Sequence, residues 1–418
     1  MPEVQSPPSL SRAERQILRD LALRVAEIAA HPQHAIQREL WKRHNRLDSA
    51  RPMVLVFPEG SWQELLPDSS LVISDSFFRG YEWHLRHLIY RWEHLRDDNV
   101  IEPVIKVGLA QSNSGWGMGL DTIPSPTPRG AWAFNPPIKE PEDADKLSAP
   151  EILIDEKKTQ ENLDALADVI GDILEVKLHR RAHVDTSLIG TLARLRGLDQ
   201  LMVDMCDRPE WLHRVMRFMT EGTMRLLDQV ERMGALDLNN GADYVGSGGV
   251  AYTDELPAPG FDGKNVRLRD LWGFAEAQEL ALVSPQMHDE FALRYQIRLL
   301  ERFGLNCYGC CESLTHKFEI VKKVPRLRRI SVSPFTDLTA AADALQDKYI
   351  FSWKPNPAEL TLNFDSARIR AGLHEAVRIA RGCVVEIVMK DTHTVNNEPH
   401  RLEAWVSIAK EVAQEAEK

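Results

Sequence analysis

Residues 305–313, LNCYGCCES, begin as a short strand and end as a cluster of reactive side chains. The run brings Cys307, Cys310, Cys311 and Glu312 close together, and a chain with only five cysteines has placed three of them here. Thiols and a carboxylate at a strand end suit a metal site or a reactive thiol. The other two cysteines, Cys206 and Cys383, lie far off in sequence and read as structural. A chain of 418 residues can bury a large core without staples, so a disulfide framework is not expected and reduced thiols are.

On either side of this run, similar strand-like stretches recur between helical ones. They are MVLVF (53–57), PVIKVGL (103–109), LEVKLH (174–179), LDLNNG (236–241), LNCYGC (305–310), RRISVS (328–333), YIFSW (349–353) and CVVEIVMK (383–390). Eight strands close a barrel, and stretches such as 209–233, 285–303 and 366–380 are long enough to be crossover helices. The expected fold is therefore α/β, a (β/α)8 TIM barrel spanning 51–418. A Pro/Ser-rich and then helical N-terminal extension over 1–50 precedes it. Two interruptions, 111–150 and 242–265, predict long insertions after strands 2 and 4, above the catalytic face. Trp116 and Trp132 in the first are candidates for a lid. The glycines of Val245-Gly-Ser-Gly-Gly-Val250 match neither a lysine-bearing phosphate loop nor a complete GxGxxG, so they are not read as a phosphate cradle.

Composition narrows the function. With 51 Lys and Arg against 62 Asp and Glu the formal net charge is −11, which disfavours nucleic acid as a partner. No run approaches the roughly 18–20 apolar residues that span a bilayer, and MPEVQSPPSLSRAER lacks the apolar core of a secretory signal. The expectation is a cytoplasmic enzyme without a membrane partner.

A barrel places its site at the C-terminal strand ends. Those ends carry His179, Arg180, Arg181, His183 and Asp185 after the third strand, and Asn239, Asn240, Asp243 and Tyr244 after the fourth. Trp353 and Lys354 follow the seventh, and Lys390, Asp391 and His393 the eighth. Strand alternation puts Cys310 and Glu312 on one face and Cys307 and Cys311 on the other, with Cys310 and Glu312 preferred inward and Cys307 against the helices. A zinc ion would use thiolate, imidazole and carboxylate ligands, so Cys310, Cys311, Glu312 and His393 form the candidate metal set. His84 and His87, three apart on a helix without a carboxylate or cysteine motif, read as structural.

Four segments, RPMVLVFP (51–58), LRGLDQLMVDMCDRPEWLHRVM (195–216), RRISVSPFTDLTAAADAL (328–345) and SWKPNPAEL (352–360), resemble the uroporphyrinogen decarboxylase-like superfamily over roughly Arg51 to Glu415. That superfamily holds cofactor-free decarboxylases and zinc-dependent methyltransferases that work with corrinoids. In its methyltransferases a His-x-Cys pair closes the fifth strand and another cysteine follows the eighth. This chain has Tyr308-Gly-Cys310 and no cysteine after the eighth, so only Cys310 carries over residue by residue. The decarboxylases' arginine-containing signature after the first strand is replaced by Phe57-Pro-Glu-Gly-Ser-Trp62.

The resemblance implies zinc-dependent methyl transfer between a small substrate, such as an O-methyl aromatic, and cobalamin on a separate corrinoid protein. His183, Asp243 and Lys390 would be catalytic, and His179, Arg181, Tyr244, Trp353 and Lys354 would bind substrate. A homodimer is compatible with it. The alternatives are a metal-free decarboxylase or lyase that clamps a carboxylate with Arg180, Arg181 and Lys354, and a non-catalytic small-molecule-binding barrel.

Overall fold

The structure, a computed structural model, describes residues 9–48, 50–127, 130–361 and 364–416. Eight parallel strands organise it: β1 (Met53–Val56), β2 (Val104–Gly108), β3 (Glu175–His179), β4 (Trp272–Ala275), β5 (Leu305–Tyr308), β6 (Leu327–Val332), β7 (Ile350–Trp353) and β8 (Val384–Met389). Backbone ladders join six of them in the order β1-β8-β7-β6-β5-β4, and join β2 to β3 as a separate parallel pair. The long helices Pro209–Arg232 and Ser366–Ile379 fall among the crossovers, and His400–Glu415 follows β8. The architecture is mixed α/β, with the parallel sheet of a TIM-barrel-like fold.

The expected fourth strand is corrected. Residues 236–241 are not a strand, and Trp272–Ala275, absent from the expected set, pairs with β5 instead. The reason lies in side chains that take over backbone bonding. Asn239 donates from Nδ2 to the Trp272 carbonyl at 3.0 Å and accepts from the Trp272 amide at 2.9 Å, replacing a ladder along the open edge of β4. Asp237 accepts from the Arg180 amide at 2.8 Å, tying the same stretch to the end of β3. The other open edge is treated alike. The amides of Val54 and Val56 donate to the carboxylates of Asp98 (2.8 Å) and Asp97 (3.0 Å).

Alternation along the strands separates an apolar face from a polar one. Tyr308, Ile330, Phe351 and Ile387 point to the helices and join a core with Leu300, Phe318, Leu373 and Trp405. The opposite face carries Arg329, Ser352 and Glu386, all buried. Arg329 pairs with Glu386 (Nε to Oε1 2.9 Å, Nη2 to Oε2 3.1 Å), and the Ser352 hydroxyl donates to the same carboxylate.

The N-terminal segment is helical, as α1 (Arg12–Ala29) and α2 (Gln33–Asn45). Ser11 and Glu14 start α1 with a reciprocal capping box, and its buried Leu18, Ala22 and Val25 pack near Phe78, Leu85, Ile105 and Leu166. From α2, Trp41 is buried with Met53, Leu55 and Val388. His44 reaches Glu386 at 3.2 Å, and Asn45 accepts from Arg329 at 2.8 Å. The end of α2 therefore completes the polar face.

The first insertion folds as two small antiparallel ladders, 111–113 with 152–154 and 121–123 with 133–135. The second contains a tight turn, closed by Val245 N to Gly249 O at 3.0 Å and Ala251 N to Asp243 O at 2.9 Å. Its glycines serve close approach. Gly246, Gly248 and Gly249 all have positive φ, and a Cβ on Gly249 would stand 2.7 Å from the Arg329 guanidinium. Among the described residues no helix is long and apolar enough to cross a membrane.

Candidate active site

The turn at 245–250 places Ser247 over the end of β5. There Gly309, at φ +88, breaks the strand's alternation. Asn306 and Tyr308 face the helices, with Tyr308 donating to Gln296 at 2.8 Å. Cys307 takes the polar face beside Arg329 and Gly246, which corrects the expectation that it packs on the helices. After Gly309, Cys310 also reaches groups of the polar side.

The Cys310 sulfur has three polar neighbours: the Ser247 hydroxyl at 3.3 Å, the Cys311 sulfur at 3.5 Å and the Lys390 ammonium at 3.8 Å. The Cys311 hydrogen bond, opposed by burial and helped by Lys390 and Ser247, lowers the Cys310 thiol from 9.0 to about 6. Cys311 is pushed the other way by sharing its proton with Cys310 and by burial. Its sulfur also lies 3.4 Å from Asp391 Oδ2. Burial works against the Lys390 ammonium, but Cys310 and Asp391 outweigh it and hold the charge. The arrangement stabilises one thiolate, on Cys310.

Glu312 does not face the sulfurs. Its carboxylate accepts from the amides of Cys310 (2.7 Å) and Ala277 (3.1 Å), so it shapes the loop. His393 packs on Gly60, where a Cβ would come within 2.9 Å of Nδ1. Of the four candidate ligands the structure joins Cys310 and Cys311. Among the described residues no group of three or more His, Cys, Asp or Glu side chains is arranged to hold a metal ion. The donor set therefore does not fit a structural or catalytic zinc site as it stands.

The remaining candidates divide. Lys390 stands in the cluster. His183 and Arg181 line a cavity of about 330 Å3 with Asp185, Trp272, Phe274 and Glu276. His183 and Asp185 also border a second cavity, of about 590 Å3, with Trp116. His179 is held by Asp237 at 3.1 Å, and Asp243 by Lys106 at 2.8 Å. Tyr244 donates to Asn99 at 2.5 Å with its ring against Phe57. Trp353 is half-buried against the helix-side core. Lys354 donates to Ser352 at 2.7 and 2.9 Å, and burial lowers its ammonium to about 8 although Glu386 opposes this.

The cations of the lyase reading scatter. Arg180 is engaged by Glu156 at 3.0 Å, Arg181 lines the cavity and Lys354 sits in the buried network. Of the two insertion tryptophans, Trp116 rests on the long helix, its ring 6.2 Å from that of Phe218. Trp132 is exposed and stacked edge-on with Phe134.

Sequence reasoning missed Ser247 and Glu276. Glu276 follows β4 directly, and burial raises its carboxyl to about 8, with repulsion from Glu279, Glu312 and Cys310 adding to the effect. It is neutral at pH 7 and can give a proton. The signal was present in WGFAEAQ, a strand ending in an acid, had that strand been recognised.

No family model matches the chain, and no curated protein matches it. Among solved structures the fold is similar to that of a methyltransferase from Methanosarcina mazei. The TM-score is 0.51 at 10% identity, over 90% of this chain and 97% of that one. At that identity the likeness is one of fold.

Proposed function

We propose that this chain is a methyltransferase whose reactive atom is the Cys310 sulfur. The observation that carries the reading is the sulfur's setting among a hydroxyl, a thiol and an ammonium, each of which favours the anion. The fold shared with a methyltransferase supports it. The sulfur attacks the methyl carbon, and the bond from that carbon to its carrier breaks with the electron pair remaining on the carrier. When the carrier is an oxygen or nitrogen of a small substrate, the neutral Glu276 carboxyl supplies the proton the leaving atom needs. The cavity shared by Arg181, His183 and Glu276 takes that substrate, for which an O-methyl aromatic is a suitable class beside Trp272 and Phe274. Cobalamin on a separate corrinoid protein is the other methyl carrier. A soft divalent ion such as zinc would find the two sulfurs, but among the described residues no group of three or more His, Cys, Asp or Glu side chains is arranged to hold it, so no step runs through it.

Methylcobalamin is the probe. The reduced chain is expected to bleach its methyl–cobalt absorbance and to gain a methyl group on the tryptic peptide 303–317. Cys310→Ser abolishes both. Wild-type bleaching by Cys310→Ser would overturn the proposal, and the metal content of both proteins, measured by elemental mass spectrometry, shows whether any activity follows a metal.

A further inference from the structure

Cys310 and Cys311 are neighbours in sequence, and their sulfurs also face each other at 3.5 Å, which adjacent side chains on a regular strand would not do. The positive φ of Gly309 is what breaks that regularity. Both thiols are partly exposed. Each has its own partner for a two-step oxidation: Lys390 and Ser247 beside Cys310, and a carboxylate oxygen, Asp391 Oδ2, at 3.4 Å from Cys311. The third cysteine of the segment is excluded from this pair. Cys307 is buried and turned to Arg329.

We infer that Cys310 and Cys311 form a reversible dithiol–disulfide couple, closed by a peroxide and opened by a dithiol, that switches the reactive sulfur off and on. The bond formation stands by itself; the switching rests on the reading of Cys310 as the methyl-accepting sulfur. The Cys310 thiolate attacks one peroxide oxygen, the O–O bond breaks, and the departing hydroxide takes up the proton that the Cys310 thiol released on ionising, leaving a sulfenic acid on Cys310 and one water. Cys311 then attacks that sulfur, and its proton passes through Asp391 to the sulfenic oxygen, which leaves as water. Two thiols and one hydrogen peroxide thus give one disulfide and two waters. Adjacent Cα atoms are about 3.8 Å apart, below the roughly 4.4 Å at which unstrained disulfides begin. A bond made here is strained, and strained disulfides are the readily reduced, regulatory kind.

The test uses the full-length chain, reduced, desalted and exposed to hydrogen peroxide, then alkylated under denaturing conditions. Peptide 303–317 is expected to fall from three alkylatable cysteines to one, to lose the mass of two hydrogens, and to recover both thiols with dithiothreitol. In Cys311→Ser, Cys310 instead proceeds to sulfinic acid, which dithiothreitol does not reverse. Cys307→Ala keeps the bridge; fragmentation of the wild-type peptide between Cys307 and Cys310 locates it independently of that variant's folding. Three alkylatable thiols after peroxide, or irreversible oxidation of Cys310 at the same rate with and without Cys311, would overturn the couple. Methylcobalamin bleaching is followed in reduced, oxidised and re-reduced chain. An undiminished rate in the bridged chain overturns the switching. A bridge without bleaching in any state removes the methyl-transfer reading and the switch with it, and leaves the couple standing.

Discussion

Replacing Glu386 by glutamine removes the one carboxylate on which Arg329, His44 and Ser352 converge. Burial by itself would raise this acid, yet Arg329, His44 and Lys354 hold it down from 4.5 to about 2. A difference of that size between folded and unfolded chain corresponds to about 3 kcal/mol of stability at neutral pH. Removing one partner of a fully buried pair costs about 3–5 kcal/mol, because the other charge stays buried without compensation. The two routes agree, and Glu386→Gln is expected to lose about 3–5 kcal/mol.

The sign with pH is fixed by the same shift. Because the folded value lies below the unfolded one, the Glu386 contribution is complete above the ordinary 4.5 and disappears as pH falls towards 2. His44, pushed below its ordinary 6.5 by burial, weakens the fold in the same direction but starts at higher pH, as the unfolded chain takes up its proton first. Urea unfolding followed by tryptophan fluorescence at pH 7 and pH 4 measures both effects, and Arg329→Met added to Glu386→Gln is expected to restore part of the loss. A loss under about 1 kcal/mol at pH 7 would refute the reasoning, since that is the range of an exposed ion pair.

Lys390→Met is expected to slow alkylation of Cys310 by iodoacetamide at pH 7 and to move the midpoint of its pH profile upward from about 6; an unmoved profile would mean that the ammonium plays no part. Glu276→Gln removes the neutral acid. Wild-type methyl transfer from a heteroatom should decline above about pH 8, while the glutamine variant should be slow throughout and show no such limb, as a pH–rate series would reveal. Gly249→Ala forces a Cβ to within 2.7 Å of the Arg329 guanidinium at a φ of +106. It is expected to cost about 1–3 kcal/mol and to lower Tm, whereas an unchanged Tm would show that the turn yields freely.

Most of the sheet was legible because β1, β6, β7 and β8 carry β-branched or aromatic residues in short runs at crossover spacing, and β5 falls at the same spacing. The exchange of 236–241 for 272–275 shows where that reading stops. LDLNNG alternates as a half-buried strand should, yet Asn239 satisfies its neighbour's backbone with a side chain, and no local pattern distinguishes that from a ladder. WGFA carries a glycine that argues against a strand, but a Cβ there would meet Phe303 at 2.6 Å and Asn306 at 2.5 Å, so tertiary packing demands what propensity penalises. The site follows the same logic. Alternation groups Cys310 and Glu312 by parity with Asn306 and Tyr308, but parity holds only while φ stays extended, and Gly309 ends it one residue before the chemistry begins, so Cys310 turns to the polar side and Glu312 to backbone amides. Glycine permits a positive φ without dictating one, so the sequence could mark the break as allowed and no more. What selects it is the carboxylate three residues later. By binding the amides of Cys310 and Ala277 together, Glu312 folds the β5 end back towards β4, and the residue expected to hold a metal instead holds the backbone that presents the thiols. Removing that carboxylate in Glu312→Ala should therefore disturb the Cys310–Cys311 contact before it disturbs the core, and lost thiol reactivity with little change in Tm would be its signature.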